Sequence, residues 1–280
     1  MGERKNKLQK FLKLHPKCIF CGGYVDATTI EHCPPRSLFQ NKMAPEKFEF
    51  PSCVACNNYS SDEDLIVAVM ARMGSPAFGD SDGRLVGMMK ALNRQKPKFY
   101  KSFLPSATEA RINNRQLGIT PTAGMTHQEM GVLNINDETR EAIKVFAKKL
   151  AKGIAYLEEG LIFSNDHCLA LNWFTNANVI KDGGHKVFEI LSHIGGVTPK
   201  LSRNRVVLNN QFEYKFSLSD DKNLILIQAK FGESFFLVIN GCMTAGHLEN
   251  LLEKTYQDLG RDYRPFEIIQ GIAMDPISSN

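Results

Sequence analysis

No apolar run in these 280 residues approaches the roughly 18 needed to cross a bilayer. The first residues, MGERKNKLQKFLKLHPK, have no apolar core of the kind a secretory signal carries. Six Lys/Arg stand there against Glu3 alone. There is no internal repeat and no low-complexity tract. Neither sign of charge dominates: 34 Lys/Arg against 30 Asp/Glu leave +4, which permits a polyanionic partner without requiring one. These absences exclude spanning, fibrous and disordered classes. They lead us to expect a chain in a reducing cytoplasm with no membrane partner. A disulfide framework is also excluded, because the cysteines number seven and no export signal accompanies them. With 43% hydrophobic residues, the chain has material for one large domain or two ordinary ones.

Four of the seven cysteines form two C-x-x-C pairs, Cys18/Cys21 and Cys53/Cys56. Each pair sits on a tight turn that aims both sulfurs at one point. Two such turns supply the four thiolates of a tetrahedral structural zinc. Gly22 and Gly23 suit the first turn, where positive φ is often needed. Neither pair opens a helix in a βαβ pattern, which argues against a redox role. Cys33, Cys168 and Cys242 lack a partner at ligand spacing and read as buried core thiols.

A basic amphipathic helix is predicted over 4–14, and a second helix over 62–73 behind Ser60, Ser61 and three acids. Residues 84–115 carry eight Lys/Arg against Glu109 alone, with Phe99, Tyr100 and Phe103 interleaved. Residues 45–83 carry two Lys/Arg against seven acids. The basic, aromatic stretch reads as a nucleic-acid contact, with Arg94, Lys96, Lys98 and Lys101 as its cations. Asn136 or Asp137 caps a long core helix to about Glu159, ended by Gly160. Three β-rich runs from Val206 onward read as an antiparallel meander, followed by a last helix over 247–260. His185 and His193 read as loop or core histidines, and Trp173 and Phe174 as core.

Between the cysteine pairs lies EHCPPRSLF, and the second pair sits in PSCVACNNYSSDED. Glu31 and His32 are adjacent, so on a regular strand they point to opposite faces. The prolines that follow are positioned to break that regularity. C-x-x-C, then acid-His with a following proline, then C-x-x-C-Asn, resembles the zinc-containing HNH endonucleases of the ββα-metal (treble-clef) type. The likeness covers about residues 15–73.

That resemblance implies a structural Zn2+ on Cys18, Cys21, Cys53 and Cys56. It makes His32 the general base, and gives Glu31 and Asn57 a catalytic Mg2+ or Mn2+. Arg36 and Lys42 would contact phosphates. Asn57 would stand at the start of a 57–73 helix, with Asp62 as a reserve ligand or dipole partner. The family's first ligand is usually Asp, where Glu31 stands here. Its middle Asn falls in Glu46-Lys47-Phe48-Glu49, so orienting the base would pass to Asn41 or a backbone carbonyl. The chemistry suits the residue types: a neutral imidazole takes a proton from water at cellular pH, and a hard cation on oxygen ligands offsets charge on the phosphorane.

The expected fold is α+β. A zinc-stapled ββα-metal (HNH) nuclease unit spans 1–75 and a basic connecting region 76–135. A C-terminal α+β unit with a long helix and an antiparallel sheet spans 136–280. The expected activity is endonucleolytic, with DNA preferred to RNA by resemblance. One site cuts one strand, so a double-strand break calls for a homodimer or successive nicks. The alternatives are a non-catalytic zinc-dependent nucleic-acid-binding module, and a regulated effector whose C-terminal unit restrains the nuclease.

Overall fold

The long helix α7, Asp137–Glu159, packs chiefly against α3 (Ser61–Met73) and also against the C-terminal sheet. Asn136 caps it by accepting the Thr139 N–H at 2.9 Å, and Gly160 at φ 69 closes it in the left-handed conformation. This is the helix the sequence predicts. We describe residues 2–73, 81–121, 123–130, 133–177, 196–242, 246–250, 253 and 266–272 of a computed structural model. Most of the predicted 247–260 helix, and both His185 and His193, lie outside those residues.

Before α7 come α1 (Gly2–Leu14), the antiparallel hairpin β1 (Thr29–His32) and β2 (Glu49–Ser52), α2 (Val54–Tyr59) and α3 (Ser61–Met73). Three helices follow, α4 (Leu85–Gln95), α5 (Pro97–Phe103) and α6 (Ala107–Gln116). They occupy the predicted basic connecting region. After α7 come β3 (Cys168–Thr175), the small hairpin β4 (Ser202–Arg203) and β5 (Val206–Val207), and the meander β6 (Phe212–Leu218), β7 (Leu224–Phe231) and β8 (Phe235–Cys242). β9 (Glu267–Gln270) completes the set. Five of these strands make one antiparallel sheet in the order β6-β7-β8-β3-β9. The mixture of helices with an antiparallel sheet is α+β, as expected.

β3 has no counterpart in the sequence reading. Every residue from Cys168 to Phe174 is buried, so the strand shows no apolar/polar alternation. Leu169, Leu171 and Trp173 join the core that contains α7, while Cys168, Ala170 and Phe174 join small clusters on the other face. Cys168 and Cys242 are paired in register and free, as core thiols should be.

One apolar cluster runs through both predicted units. Phe39 and Phe48 of the cysteine-rich part lie 6.2 and 5.6 Å, centroid to centroid, from Phe212 of β6. On the near side of α7, Gly153 lets β2 approach: a Cβ there would lie 3.1 Å from the Phe50 ring. Phe146, two turns before Gly153, packs on Phe231 and Phe235, so the hairpin and the five-stranded sheet meet the same stripe of α7 at different heights. The cysteine-rich part has an apolar core of its own within this shared cluster: Ile19, Phe20, Leu38, Phe39, Phe48 and Phe50 are all buried.

Candidate metal centre and active site

The sulfurs of Cys18, Cys21, Cys53 and Cys56 lie within 4.8 Å of one another, and all four residues are buried. Two local devices converge them. The first pair turns through Gly22 and Gly23, at φ 75 and 80, and the Gly23 N–H donates to Cys18 O at 2.9 Å. The second pair occupies the N-terminus of α2, where Cys53 is the cap and its sulfur accepts the Cys56 N–H at 3.4 Å. Among the described residues this is the one group of three or more His, Cys, Asp or Glu side chains placed to hold a metal.

The four thiols act on one another's protonation. A hydrogen bond from Cys56 holds the Cys18 thiol down to about 4, while the same contact drives Cys56 far above its ordinary value. Burial pushes Cys21 up to about 11. Four thiolates at this separation repel one another unless a divalent ion stands between them, and a tetrahedral zinc suits four sulfurs. Lys152, 1% exposed, donates to Phe20 O at 2.5 Å inside the first turn, and burial pulls its pKa down to about 7. The zinc assignment fits the donor set in geometry and ligand chemistry.

The remaining predicted residues divide between the two faces of β1. On one face, Thr29 and Glu31 look toward α2 and α3. Glu31 is 8% exposed, and its carboxylate accepts from Lys149 of α7 at 2.8 Å. Lys149, 1% exposed, also donates to Asp64 at 2.6 Å and to Ser60 at 2.7 Å. Burial lifts the Glu31 and Asp64 carboxyls above their ordinary values, because one ammonium is shared between two acids. Burial works against Lys149 too, but Asp64 and Glu31 outweigh it and raise it. Asn57 donates its amide to Thr29 Oγ1 at 3.2 Å and to Ile30 O at 3.1 Å, clasping α2 to β1.

Glu31 and Asn57 were expected to share a divalent ion. Glu31 Oε1 is engaged by Lys149, and the Asn57 NH2 is spent on the hairpin, which leaves Oδ1 as the Asn57 atom able to face a cation. A divalent ion at Glu31 would share that carboxylate with the Lys149 ammonium. Asn57 also lies inside α2 rather than at a helix start, because the helix begins at Val54 and breaks at Ser60 before α3.

His32 points to the other face, with 28% of its side chain exposed. Its Nε2 stands 3.4 Å from Glu49 Oε1, its cross-strand partner in the hairpin register. Burial lowers its pKa first; Glu49 pulls upward, Arg36 and Arg203 push down, and the result lies below the ordinary histidine value. The ring is therefore neutral near pH 7, with Glu49 beside one nitrogen. Glu49 takes the place that sequence reading offered to Asn41 or a carbonyl. The signal was present: Glu49 lies where the family's middle Asn falls, and strand pairing puts it opposite His32. Arg203, 3.8 Å from the same Glu49 oxygen, carries no such local signal.

The predicted nucleic-acid contacts are also spread out. Arg36 is exposed and donates to Lys42 O at 3.1 Å. Lys96 is bound to Glu138 at 2.5 Å and lies 4.0 Å from Asp62. Arg94, Lys98 and Lys101 are exposed, and of the interleaved aromatics Tyr100 is half-buried. Phe99 and Phe103 are buried, with rings 5.1 Å apart in the core. Ser60 and Asp64 were read only as helix-start signals and Lys149 not at all, although Lys149 falls on the apolar stripe of its helix, three residues after Phe146.

Compared with family models, curated proteins and solved structures, the chain matches none.

Proposed function

We propose that this chain hydrolyses nucleic-acid phosphodiester bonds, with His32 as general base. The observation that supports the reading is a half-exposed, neutral imidazole, paired with a carboxylate, on a hairpin anchored by a four-sulfur clasp. Turn with Cys18 and Cys21, hairpin β1–β2, then α2 with Cys53 and Cys56 is the order of the HNH ββα-metal unit that the sequence resembles.

Glu49 beside Nε2 favours the tautomer protonated there and leaves Nδ1 to take a proton from the attacking water. Arg36 is exposed and its charge pushes the His32 pKa down; in this reading it offsets charge on the phosphate. Glu31 acts through Lys149, Asp64 and Ser60 to fix β1 against α3 and α7. No step here runs through a divalent ion. Preference for DNA, and a dimer for double-strand breaks, rest on the resemblance.

A second reading, a zinc-dependent module that grips nucleic acid without cutting it, draws support from the Lys149–Glu31 pair. Plasmid nicking separates the two. Wild type should convert supercoiled DNA to nicked circles with 5′-phosphate ends, and His32→Gln should lose at least about a hundredfold in rate. Equal cutting by both forms removes His32 from the chemistry. If neither cuts DNA or structured RNA while both bind, the chain is a binding module. A rate that rises with Mg2+ or Mn2+ and collapses in Glu31→Gln restores the divalent ion to Glu31.

A further inference from the structure

The β4–β5 hairpin is remote in sequence from His32 yet is stitched to the segment that leads into β2. The Glu46 N–H donates to Ser202 O at 3.1 Å, and the Asn204 N–H donates to Glu46 Oε1 at 3.2 Å. The Arg203 guanidinium donates to the carbonyls of Ala44 and Pro45 and stands 3.8 Å from Glu49, the partner of His32. Only two residue pairs make the ladder, and Val206 and Val207 are 46% and 48% exposed. Leu201 and Leu208 root the hairpin in the shared core, and polar contacts beside His32 hold its exposed remainder.

Its tip adds a second observation. Asn204 and Arg205 have φ 50 and 67, the positive values of a two-residue turn matched to hairpin twist. Asn suits such a position, but the next one favours glycine. An arginine there is held in a conformation that side chains rarely adopt, and it presents an exposed cation at the tip.

We propose that the β4–β5 hairpin grips the phosphate backbone of a nucleic acid beside His32, Arg203 at its base and Arg205 at its tip each meeting a phosphate. The identity of the ligand rests on the phosphodiester reading above. The C-terminal half of the chain thereby completes the site rather than merely following it. Arg203 also steadies the strand bearing Glu49, so it is a positioning residue as well.

The test is fluorescence anisotropy with a labelled DNA duplex, without divalent ions, over about 50 to 200 mM KCl. It compares wild type, Arg203→Gln, Arg203→Lys and Arg205→Gln. Each Gln variant should flatten the plot of log affinity against log salt by about one unit and weaken binding severalfold, while Arg203→Lys keeps most of the slope. The Arg205 side chain has no hydrogen bond or ion pair among the described residues, so Arg205→Gln reads the contact even if Arg203→Gln loosens the hairpin. Unchanged slope and affinity in Arg205→Gln and in folded Arg203→Gln overturn the inference, as does a wild type without salt-dependent binding. Slopes that fall as expected in a protein that never cuts keep the hairpin and remove the hydrolase. Cutting with unaltered KM and slope in both Gln variants keeps the hydrolase and removes the hairpin.

Discussion

Replacing Lys149 by Met should be among the most damaging single changes in the molecule. It strips the cation from two buried carboxylates that accept from it at 2.8 and 2.6 Å. At an effective dielectric of about 20, each such pair is worth roughly 6 kcal/mol before hydration is counted. The acids have an escape, because a carboxyl left without its cation can take a proton. At pH 7, about three units above its ordinary pKa, that escape costs roughly 4 kcal/mol. The net loss should therefore be about 3–5 kcal/mol, the usual range for breaking a buried pair from one side.

The pH dependence carries a definite sign. Both carboxyl pKa values are raised in the folded chain, so the folded state keeps protons that the unfolded state has released. Stability falls as pH climbs from the ordinary carboxyl value through the raised one. Without Lys149, which pulls both values down, that window extends upward, and the deficit should grow between about pH 5 and about pH 8. Urea unfolding followed by circular dichroism measures it. Lys149→Met/Glu31→Gln/Asp64→Asn should recover most of the loss. A deficit under about 1 kcal/mol, or one that shrinks as pH rises, would refute the reasoning.

Other consequences follow from the same packing. Because Cys18, Cys21, Cys53 and Cys56 share a core cluster with α7 and the sheet, stripping zinc should unfold more than residues 15–73. Thermal melting after chelation should show the sheet lost with the cysteine-rich part, and a sheet that melts unchanged would separate the two. Gly153→Ala should cost about 1–3 kcal/mol, since the new methyl meets the Phe50 ring at 3.1 Å, partly offset by better helix propensity; denaturant midpoints report it. The cutting rate should rise with pH along a limb centred below the ordinary histidine value, because burial, Arg36 and Arg203 together outweigh Glu49 at His32. A limb centred above that value would assign the base elsewhere.

What could be read in advance was local. The Asn136 cap, the Gly160 stop and the stripe between them specify α7 because each acts within a turn or two of helix. The cysteine spacing specifies the clasp because the two turns are short-range objects. The Glu31 environment was not legible. It depends on Lys149, 118 residues away, and a lysine counted as a solvated charge hides a core position. Phe99 and Phe103 were misread for a related reason. Aromatics between basic residues suggest base stacking, yet their spacing of four puts both on one helical face, which here turns inward. Asn57 was assigned to a helix start by its capping preference, whereas Cys53 takes the cap so that Cys56 can join the sulfur cluster.

Native mass spectrometry of the intact chain, purified without added metal, tests most directly whether four thiolates clasp the hairpin that carries His32. One zinc ion per chain, lost in Cys53→Ser, is the result expected from sulfurs gathered within 4.8 Å. A folded chain without zinc, or zinc that stays at full occupancy when Cys53 is gone, would contradict it.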